Sequence, residues 1–280
     1  MKKFFLILLI AGMAIACKDN DTSSADHDTA ADAAAKEDSI EMSPEQQARK
    51  EANKKKDLNA PSITPIEHAT FVLKWDKQVI YVDPVGGAAP FKNMGDPDFI
   101  FITDIHGDHM NAETINAVKT PKTKIYAPQA VADKLPSNIQ VNVINNGESM
   151  EVDELSITAI PMYNLSEERL KFHEKGRGNG YVLNKYGYNL YISGDTEDIP
   201  EMRELEDIDM ALVCMNLPYT MPWEKAADAV LEFKPRAILP YHYRGTDGYE
   251  SVDSFAKKIG NSNDEIEVRL LNWYPNKGKE

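Results

Sequence analysis

The chain of 280 residues carries 45 acidic and 31 basic side chains, which gives a formal net charge of −14. Binding to nucleic acid or to anionic lipid headgroups depends on clustered Lys and Arg, so this charge argues against both as electrostatic partners. Hydrophobic residues make up 42% of the chain and aromatic residues 9%, which is typical of a folded globular protein. We therefore predict a folded protein with no nucleic-acid partner.

The first 17 residues have the parts of a secretory signal peptide. Met1–Lys3 is basic, and the apolar run over 4–16 is shorter than the roughly 20 residues that a bilayer-spanning helix needs. Ala14–Cys17 resembles a bacterial lipobox, in which the cysteine is acylated and becomes the new N-terminus. We predict lipidation at Cys17, with an ordinary signal peptide that contains a cysteine as the alternative.

Lipidation would anchor the mature protein to a membrane through acyl chains, without a spanning helix. The chain is therefore predicted to be a secreted bacterial lipoprotein of the periplasm or outer membrane. Lys18–Asp21 resembles the acidic export tags of surface lipoproteins, which adds the cell surface as a further location.

From Lys18 to about Ala60 the chain is polar and contains no Phe, Trp or Tyr. Such a segment buries too little apolar surface to offset the entropy lost on ordering. We predict that residues 18–60 are a disordered acidic linker, in which Gln46–Lys56 forms only a transient polar helix. The folded domain is predicted to occupy residues 61–280.

The folded part begins with short runs rich in β-branched and aromatic residues, which predict strands. Strands are predicted, in chain order, over 63–66, 70–75, 78–82, 99–103, 124–127, 141–144, 149–152, 156–160, 181–183, 189–193, 210–215, 237–240 and 266–271. Helices are predicted over 112–118, 129–135, 223–233 and 252–259. Strands first dominate and then alternate with helices, and the same order recurs. This pattern predicts an α/β protein with two sheets packed face to face and helices outside.

The segment that follows the apolar run over 99–103 carries four side chains able to bind a metal ion: Asp104, His106, Asp108 and His109. A single turn at the end of a strand could present all of them. Imidazole and carboxylate together suit zinc, and they suit manganese or iron when oxygen ligands increase.

Two further polar groups, Asp195 and His242, each follow an apolar run that is predicted as a strand. Side chains at strand ends are fixed by the scaffold, while the adjoining loops admit a ligand. We therefore predict that Asp195 and His242 converge with Asp108 and His109 on a metal ion.

The order and spacing of these segments resemble the metallo-β-lactamase superfamily, whose signature H-x-H-x-D-H is followed by a His, an Asp and a final His. The resemblance runs from about Ser62 to Pro275. Glu67–Thr70 and Tyr81–Pro84 are similar to the opening hairpin of the branch related to L-ascorbate-6-phosphate lactonase. The resemblance implies an αββα sandwich of two mixed β-sheets flanked by helices.

The resemblance also implies the roles of individual residues. Asp108, His109 and His242 would form one metal site, and Asp195 would bridge it to another. Asp83 would support the metal-binding loop without binding metal itself.

The other metal site departs from the signature, because Asp104 stands where the first histidine is expected and only His106 remains of that pair. The intermediate histidine is also missing from its expected segment, which offers Tyr163 or Asn164 instead. His173 from the following loop could complete the site or contact the substrate. The prediction is therefore one or two divalent ions per chain.

Three residues outside the ligand set are interpreted more conservatively. His68 is expected to orient a metal ligand. Arg177 and Arg244 are interpreted as solvated surface residues, with contact to an anionic substrate as the alternative.

A divalent ion lowers the pKa of bound water from 15.7 toward about 7. We predict a hydrolase in which metal-bound hydroxide attacks an ester, lactone, amide or phosphodiester in a small-molecule substrate. Asp108 and Asp195 would be the catalytic residues that orient the nucleophile. The alternatives are a catalytically degenerate binding module and a di-iron oxidoreductase on the same fold.

Overall fold

The computed structural model describes residues 43–275 of the chain. The predicted signal peptide, Cys17 and the linker up to residue 42 lie outside the described residues. Within the described part, no helix combines the length and the apolar character that crossing a bilayer requires.

The first sheet has six strands in the order in which they occur along the chain. They are β1 (Ser62–Glu67), β2 (Thr70–Trp75), β3 (Gln78–Val82), β4 (Phe99–Phe101), β5 (Lys124–Ala127) and β6 (Asn142–Val143). β1, β2 and β3 are antiparallel hairpin strands, while β3 to β6 run parallel to one another. The antiparallel half therefore passes into a parallel half whose strands all end at one edge.

The second sheet has seven strands in the order β15-β12-β11-β10-β9-β8-β7. They are β7 (Ser149–Val152), β8 (Leu155–Met162), β9 (Gly178–Lys185), β10 (Tyr188–Ile192), β11 (Met210–Cys214), β12 (Ala237–Tyr241) and β15 (Glu267–Val268). Its first four strands in chain order are antiparallel, and β10, β11, β12 and β15 are parallel. A small hairpin, β13 (Arg244–Gly245) and β14 (Gly248–Tyr249), follows β12.

The helices of the described residues are α1 (Pro44–Asp57), α2 (Ala112–Val118), α3 (Gln129–Ala132), α4 (Pro200–Arg203), α5 (Trp223–Phe233) and α6 (Val252–Ser262). A short 3₁₀ turn spans Ala89–Phe91. α2 and α6 begin where an Asn and a Ser side chain accept a hydrogen bond from a backbone N–H of the first turn. These caps fix where each helix starts after a strand end.

The two sheets pack face to face through buried aromatic rings. Phe71 of the first sheet lies edge-on to Tyr241 of the second at 5.9 Å between centroids, and Phe101 meets Tyr181 at 5.1 Å. Helices α2 and α3 cover the outer face of the first sheet, and Phe233 of α5 packs on the second. The αββα sandwich predicted from the sequence is confirmed.

The start of the compact unit differs from the predicted boundary at residue 61, because the unit already begins at Pro44. Helix α1 lies in the segment that was predicted as a linker. Arg49 pairs with Glu265, and Lys56 pairs with the buried carboxylate of Asp209. The helix has too few apolar residues to predict docking from its own pattern, and ion pairs supply the contacts instead.

Several elements differ in length from their predictions. β9 spans Gly178–Lys185, whereas a strand over 181–183 was predicted. β15 has only two residues, whereas a strand over 266–271 was predicted. The short hairpin β13–β14 and helix α4 were not predicted. β9 and β15 depend on pairing with strands that are distant in the sequence.

Candidate metal centre

The candidate site lies where strands of both sheets end. Asp83 follows β3, Asp104 follows shortly after β4, Asp195 follows shortly after β10, and His242 directly follows β12. β3 and β4 are parallel neighbours in one sheet, and β10 and β12 run in the same direction in the other. The carboxyl ends of these strands therefore bring the polar side chains together at one edge of the sandwich.

Three residues with side chains adopt left-handed backbone conformations at this edge. His68, Asp83 and His242 have φ angles of 50°, 46° and 45°, in the left-handed region that residues with a side chain rarely adopt. Gly194 has a φ of 61°, and a Cβ atom there would lie 2.5 Å from Sδ of Met162. Strained conformations of this kind persist where the surrounding structure holds them, as at binding sites.

The first group of possible ligands contains Asp104, His106 and His173, each offering one atom within 4.8 Å of the others. Oδ2 of Asp104 lies 2.6 Å from Nδ1 of His106 and 3.9 Å from Nε2 of His173. Asp104 and His173 are buried, while the His106 side chain is 40% exposed and opens toward solvent. His173, from the loop after β8, therefore joins Asp104 and His106 in this group.

The second group contains Asp108, His109 and His242, again with one atom each within 4.8 Å. Nε2 of His242 lies 3.3 Å from Oδ2 of Asp108, and Nε2 of His109 lies 3.9 Å from Oδ1 of the same carboxylate. Both histidines are buried, while the Asp108 side chain is 45% exposed. Asp108 is thus the most accessible carboxylate of the cluster.

Asp195 lies between the two groups. Its Oδ2 is 3.4 Å from Nε2 of His109 and 3.4 Å from Nε2 of His173, and its Oδ1 is 3.4 Å from Nε2 of His242. The carboxylate is buried, so it faces these imidazoles and not bulk water. The structure therefore brings Asp104, His106, Asp108, His109, His173, Asp195 and His242 into one cluster.

The atoms at the centre of this cluster fit a bound cation. Nε2 of His109, Nε2 of His173 and Oδ1 of Asp195 are buried and make no hydrogen bond within the described part of the chain. Buried polar atoms in folded proteins nearly always have a hydrogen-bond partner, so three neighbouring atoms without one require an explanation. Lone pairs from imidazole nitrogen and carboxylate oxygen are the donors that zinc, manganese and iron accept.

The carboxylates of the cluster are ionised. Burial by itself would raise the pKa of Asp104, but the hydrogen bond from His106 and the interactions with His109 and Arg177 hold that pKa at about 2. Burial is likewise outweighed at Asp108 and Asp195, where contacts with the histidines lower the pKa below the usual range. The cluster therefore presents three negative charges for divalent cations to neutralise.

Asp83 supports His109 from behind. One carboxylate oxygen accepts a hydrogen bond from the backbone N–H of Thr103 at 2.7 Å, and the other accepts from the Thr103 hydroxyl at 2.6 Å. The second oxygen also lies 2.9 Å from Nδ1 of His109. A carboxylate at Nδ1 fixes the imidazole so that Nε2 keeps its lone pair for a metal ion. Asp83 is thus placed for orientation and is not part of either ligand group.

His68 contacts the cluster through His242, with the two rings edge-on at 5.3 Å between centroids. Its Nδ1 lies 3.2 Å from the hydroxyl of Tyr274. Burial and the neighbouring His242 lower the pKa of His68 to about 4, so this imidazole is neutral. The side chain packs beside His242 and belongs to neither ligand group.

Tyr163 and Asn164 do not take the place of the intermediate histidine. The Tyr163 hydroxyl donates to Glu201 at 2.9 Å and accepts from Lys175 at 3.1 Å, so it points away from the cluster. Nδ2 of Asn164 donates to the backbone oxygens of Arg169 and Tyr219, and it lies 3.2 Å from Nδ1 of His173. Asn164 thus contacts the far side of the His173 imidazole.

The interpretation of Arg177 as a solvated surface residue is wrong. Its side chain is only 16% exposed and pairs with the fully buried carboxylate of Asp104. The sequence around Arg177 is polar and rich in glycine, which is typical of a surface loop. The contact arises because β9 begins next to the end of β4, a juxtaposition that no local pattern predicts.

A cavity of about 400 Å³ opens onto the cluster. Its lining includes two aspartates and four histidines, together with residues of the adjoining loops: Asp108, Asp195, His68, His106, His173, His242, Phe172, Tyr219 and Arg244. The Tyr219 hydroxyl lies 2.9 Å from the hydroxyl of Thr246, which joins two loops beside the cavity. The size suits a small molecule, and the loop residues Tyr219 and Thr246 were not predicted from the sequence.

Comparison with known proteins identifies the class. Residues 62–242 match the family described as the Beta-lactamase superfamily domain, and the chain belongs to the metallo-β-lactamase superfamily. A UPF0173 metal-dependent hydrolase of Thermococcus onnurineus is 31% identical over 216 residues, which cover 73% of this chain and 93% of the relative. A second relative of that name, from Methanopyrus kandleri, is 28% identical over 220 residues, which cover 75% and 96%.

Solved structures agree with this assignment. A protein from Parabacteroides distasonis, named as a candidate metal-dependent hydrolase, is 37% identical with a TM-score of 0.70, covering 76% of this chain and 94% of that one. The metallo hydrolase Igni18 of Ignicoccus hospitalis has a TM-score of 0.64 at 24% identity, covering 75% and 94%, and shows the same fold. None of these relatives tests the narrower resemblance to the L-ascorbate-6-phosphate lactonase branch, which stays a prediction.

Proposed function

We propose that this chain is a metal-dependent hydrolase with two adjacent cation sites. The first site would use Asp104, His106 and His173, the second would use Asp108, His109 and His242, and Asp195 would bridge them. The observation that carries the proposal is the convergence of both groups on Asp195, with buried lone pairs that have no partner in the described chain, beside an open cavity.

The two proposed sites have the same donor types, namely one aspartate and two histidines, in addition to the shared carboxylate. Because Asp104 replaces a histidine, the first site has the same set of ligand types as the second. Zinc accepts this donor set readily, and manganese or iron accepts it as well. We propose zinc as the resident ion, with two ions per chain.

When bound, ions of this kind make a coordinated water acidic and polarise the bond under attack. The residues of the chain would orient the reactants. Asp108 can accept a hydrogen bond from a water in the cavity, because its side chain is 45% exposed and ionised. Asp195 is buried between the two groups of histidines and would hold them in a fixed position relative to each other. Cys214 offers no thiolate nucleophile for covalent catalysis, because it is fully buried and burial raises its pKa to about 12.

The cavity of about 400 Å³ supports a small-molecule substrate. An ester, lactone, amide or phosphodiester offers the polarised bond that this chemistry requires. Phe172 and Tyr219, whose rings lie edge-on to each other, and Arg244 line the cavity and provide both apolar and cationic contacts for such a molecule.

The test is metal analysis of the purified protein together with a hydrolysis panel of esters, lactones, amides and phosphodiesters. We expect about two ions per chain, loss of hydrolysis after chelation, and recovery when Zn²⁺ is added back. Asp195→Asn should abolish hydrolysis, whereas Asp209→Asn, at a buried aspartate at the opposite end of the sheet, should keep it. A protein that binds no ion, or binds two and hydrolyses nothing, would support a binding module instead.

A di-iron oxidoreductase is the second candidate, because three carboxylates make the donor set rich in oxygen. The same metal analysis distinguishes it from the hydrolase. Two irons per chain, with consumption of oxygen or peroxide and no hydrolysis, would favour the oxidoreductase.

We also propose that the protein is held at a membrane through a lipidated Cys17, as the signal sequence and lipobox suggest. The curated relatives named above come from archaea and do not support this part of the proposal. Expression in a bacterium with lipoprotein processing tests it. The wild type should fractionate with membranes and take up labelled palmitate, while Cys17→Ala should do neither; equal behaviour of both would refute the anchor.

A further inference from the structure

The first proposed site departs from the superfamily signature at two places, and one arginine contacts the first of these residues and the neighbour of the second. Asp104 replaces a signature histidine, and His173 comes from a loop outside the segment where the intermediate histidine was expected. Arg177 pairs with Asp104 and also donates a hydrogen bond to the backbone oxygen of Phe172, the residue before His173. One side chain therefore connects Asp104 with the loop segment that carries His173.

The contact of Arg177 with Asp104 is bidentate. Nε of Arg177 lies 3.2 Å from Oδ1 of the carboxylate, and Nη2 lies 3.1 Å from Oδ2. A guanidinium that meets both oxygens fixes the plane of the carboxylate as well as its charge, which an ammonium group cannot do. The aspartate side chain is fully buried, so no water replaces this partner.

The backbone around Arg177 is fixed against the same strand end. The N–H of Asn179 donates to the carbonyl oxygen of Thr103 at 2.9 Å, next to Asp104. Gly178 passes so close that an added Cβ would lie 3.0 Å from that oxygen and 2.3 Å from Cε of Met162. Arg177 therefore meets Asp104 from a rigid position at the start of β9.

The aspartate of the second site is held differently. Asp108 is 45% exposed, and among residues 43–275 its ion-pair partners are His109 and His242 of its own group. A change at Arg177 should therefore alter the first site and spare the second.

We propose that Arg177 is the positioning residue of the first metal site, which allows an aspartate to serve where the signature has a histidine. It holds the carboxylate of Asp104 in one orientation, and its hydrogen bond to Phe172 restrains the loop that carries His173. The inference rests on the proposed two-cation function, and it adds a requirement that concerns the first cation alone.

The experiment titrates metal-free protein with Zn²⁺ and resolves the two binding steps by calorimetry and by competition with a chelator. In Arg177→Gln we expect the first-site ion to bind about 10- to 100-fold more weakly, the usual cost of removing a partner of a metal ligand. The other ion should bind as in the wild type. Arg177→Lys keeps the charge but loses the bidentate contact with Asp104, and it should also weaken binding of the ion at the first site.

Arg236→Gln is the matched control. Arg236 also pairs with a buried aspartate, Asp209, but it precedes β12 while the metal cluster lies beyond the other end of that strand. This variant should lower thermal stability and leave both binding steps unchanged. The double variant Asp104→His with Arg177→Gln should regain tight binding at the first site, because an imidazole needs no guanidinium partner.

Three results would overturn the inference. Arg177→Gln could bind both ions like the wild type, it could weaken both equally, or the double variant could fail to recover the first ion. A wild-type protein that binds fewer than two ions would refute the first site itself. That outcome is visible in the wild-type titration and is thus distinct from failure of the arginine's role.

Discussion

Asp83→Asn is the substitution that most sharply separates orientation of a metal ligand from direct binding. Asp83 is fully buried and accepts hydrogen bonds from Thr103 at 2.7 and 2.6 Å, with Nδ1 of His109 at 2.9 Å. Asparagine has the same shape, and its carbonyl oxygen can still accept from the Thr103 N–H. Its NH2 group, which takes the place of the other carboxylate oxygen, cannot accept a hydrogen bond from Nδ1 of His109.

The consequence follows from the two tautomers of imidazole. Facing an amide N–H, Nδ1 of His109 becomes the acceptor and the proton moves to Nε2, the atom that faces Asp195 and Asp108. A protonated Nε2 cannot donate a lone pair to a cation. Losing a hydrogen bond to a charged group costs about 1.5–3 kcal/mol. Partners of metal ligands are worth about 10- to 100-fold in affinity, or about 1.4–2.8 kcal/mol, and the two estimates agree.

The assay is a competition titration of Zn²⁺ between a chelator and the metal-free variant. We expect the second-site ion to bind about 10- to 100-fold more weakly, while the first-site ion is retained. Asp209→Asn is the control, because Asp209 is also buried and accepts a hydrogen bond from the N–H of Asn189 at 2.8 Å. It precedes β11, at the end of the second sheet that lies away from the metal cluster. Wild-type affinity in Asp83→Asn, or equal losses in both variants, would refute the reasoning.

Three further predictions concern ligands, metal removal and backbone strain. His242→Ala should lose the second-site ion and His173→Ala the first, so that each variant retains about one ion by elemental analysis; loss of neither would contradict the assignment. Chelation should lower the melting temperature by about 5–11 °C per ion, if that ion were present at 100 times its dissociation constant and contributed about 2.7 kcal/mol; an unchanged melting temperature would argue against a folded-state metal site. Gly194→Ala should destabilise by about 1–3 kcal/mol more than Gly187→Ala in denaturant titrations, since both have positive φ but only Gly194 has atoms where the Cβ would lie; equal losses would remove the steric argument.

The sequence predicted the fold because its strands carry their own signal. β2 and β3 were predicted with the bounds that the structure shows, since runs of β-branched and aromatic residues on either side of Asp76-Lys77 define a hairpin locally. Helix α5 was also predicted in full. In contrast, β15 has two residues and is defined by pairing with β12, so no local pattern could set its length.

The candidate site was predictable where ligands follow apolar strands, as for Asp195 and His242. His173 remained ambiguous because its loop returns to the cluster only after β8 has paired with β9. Arg177 was misread for the same reason, since its partner Asp104 is 73 residues earlier. A charged residue between two glycines carries a local signal for a surface loop, and only the tertiary structure reveals a buried ion pair.

The most direct measurement is a crystal structure with anomalous scattering recorded at the absorption edge of the bound metal. The proposed function predicts two peaks on either side of the Asp195 carboxylate. One should lie among Asp104, His106 and His173, and the other among Asp108, His109 and His242. A metal-loaded crystal with no peak there, or with a single peak that Asp195 does not contact, would contradict the proposed two-cation centre.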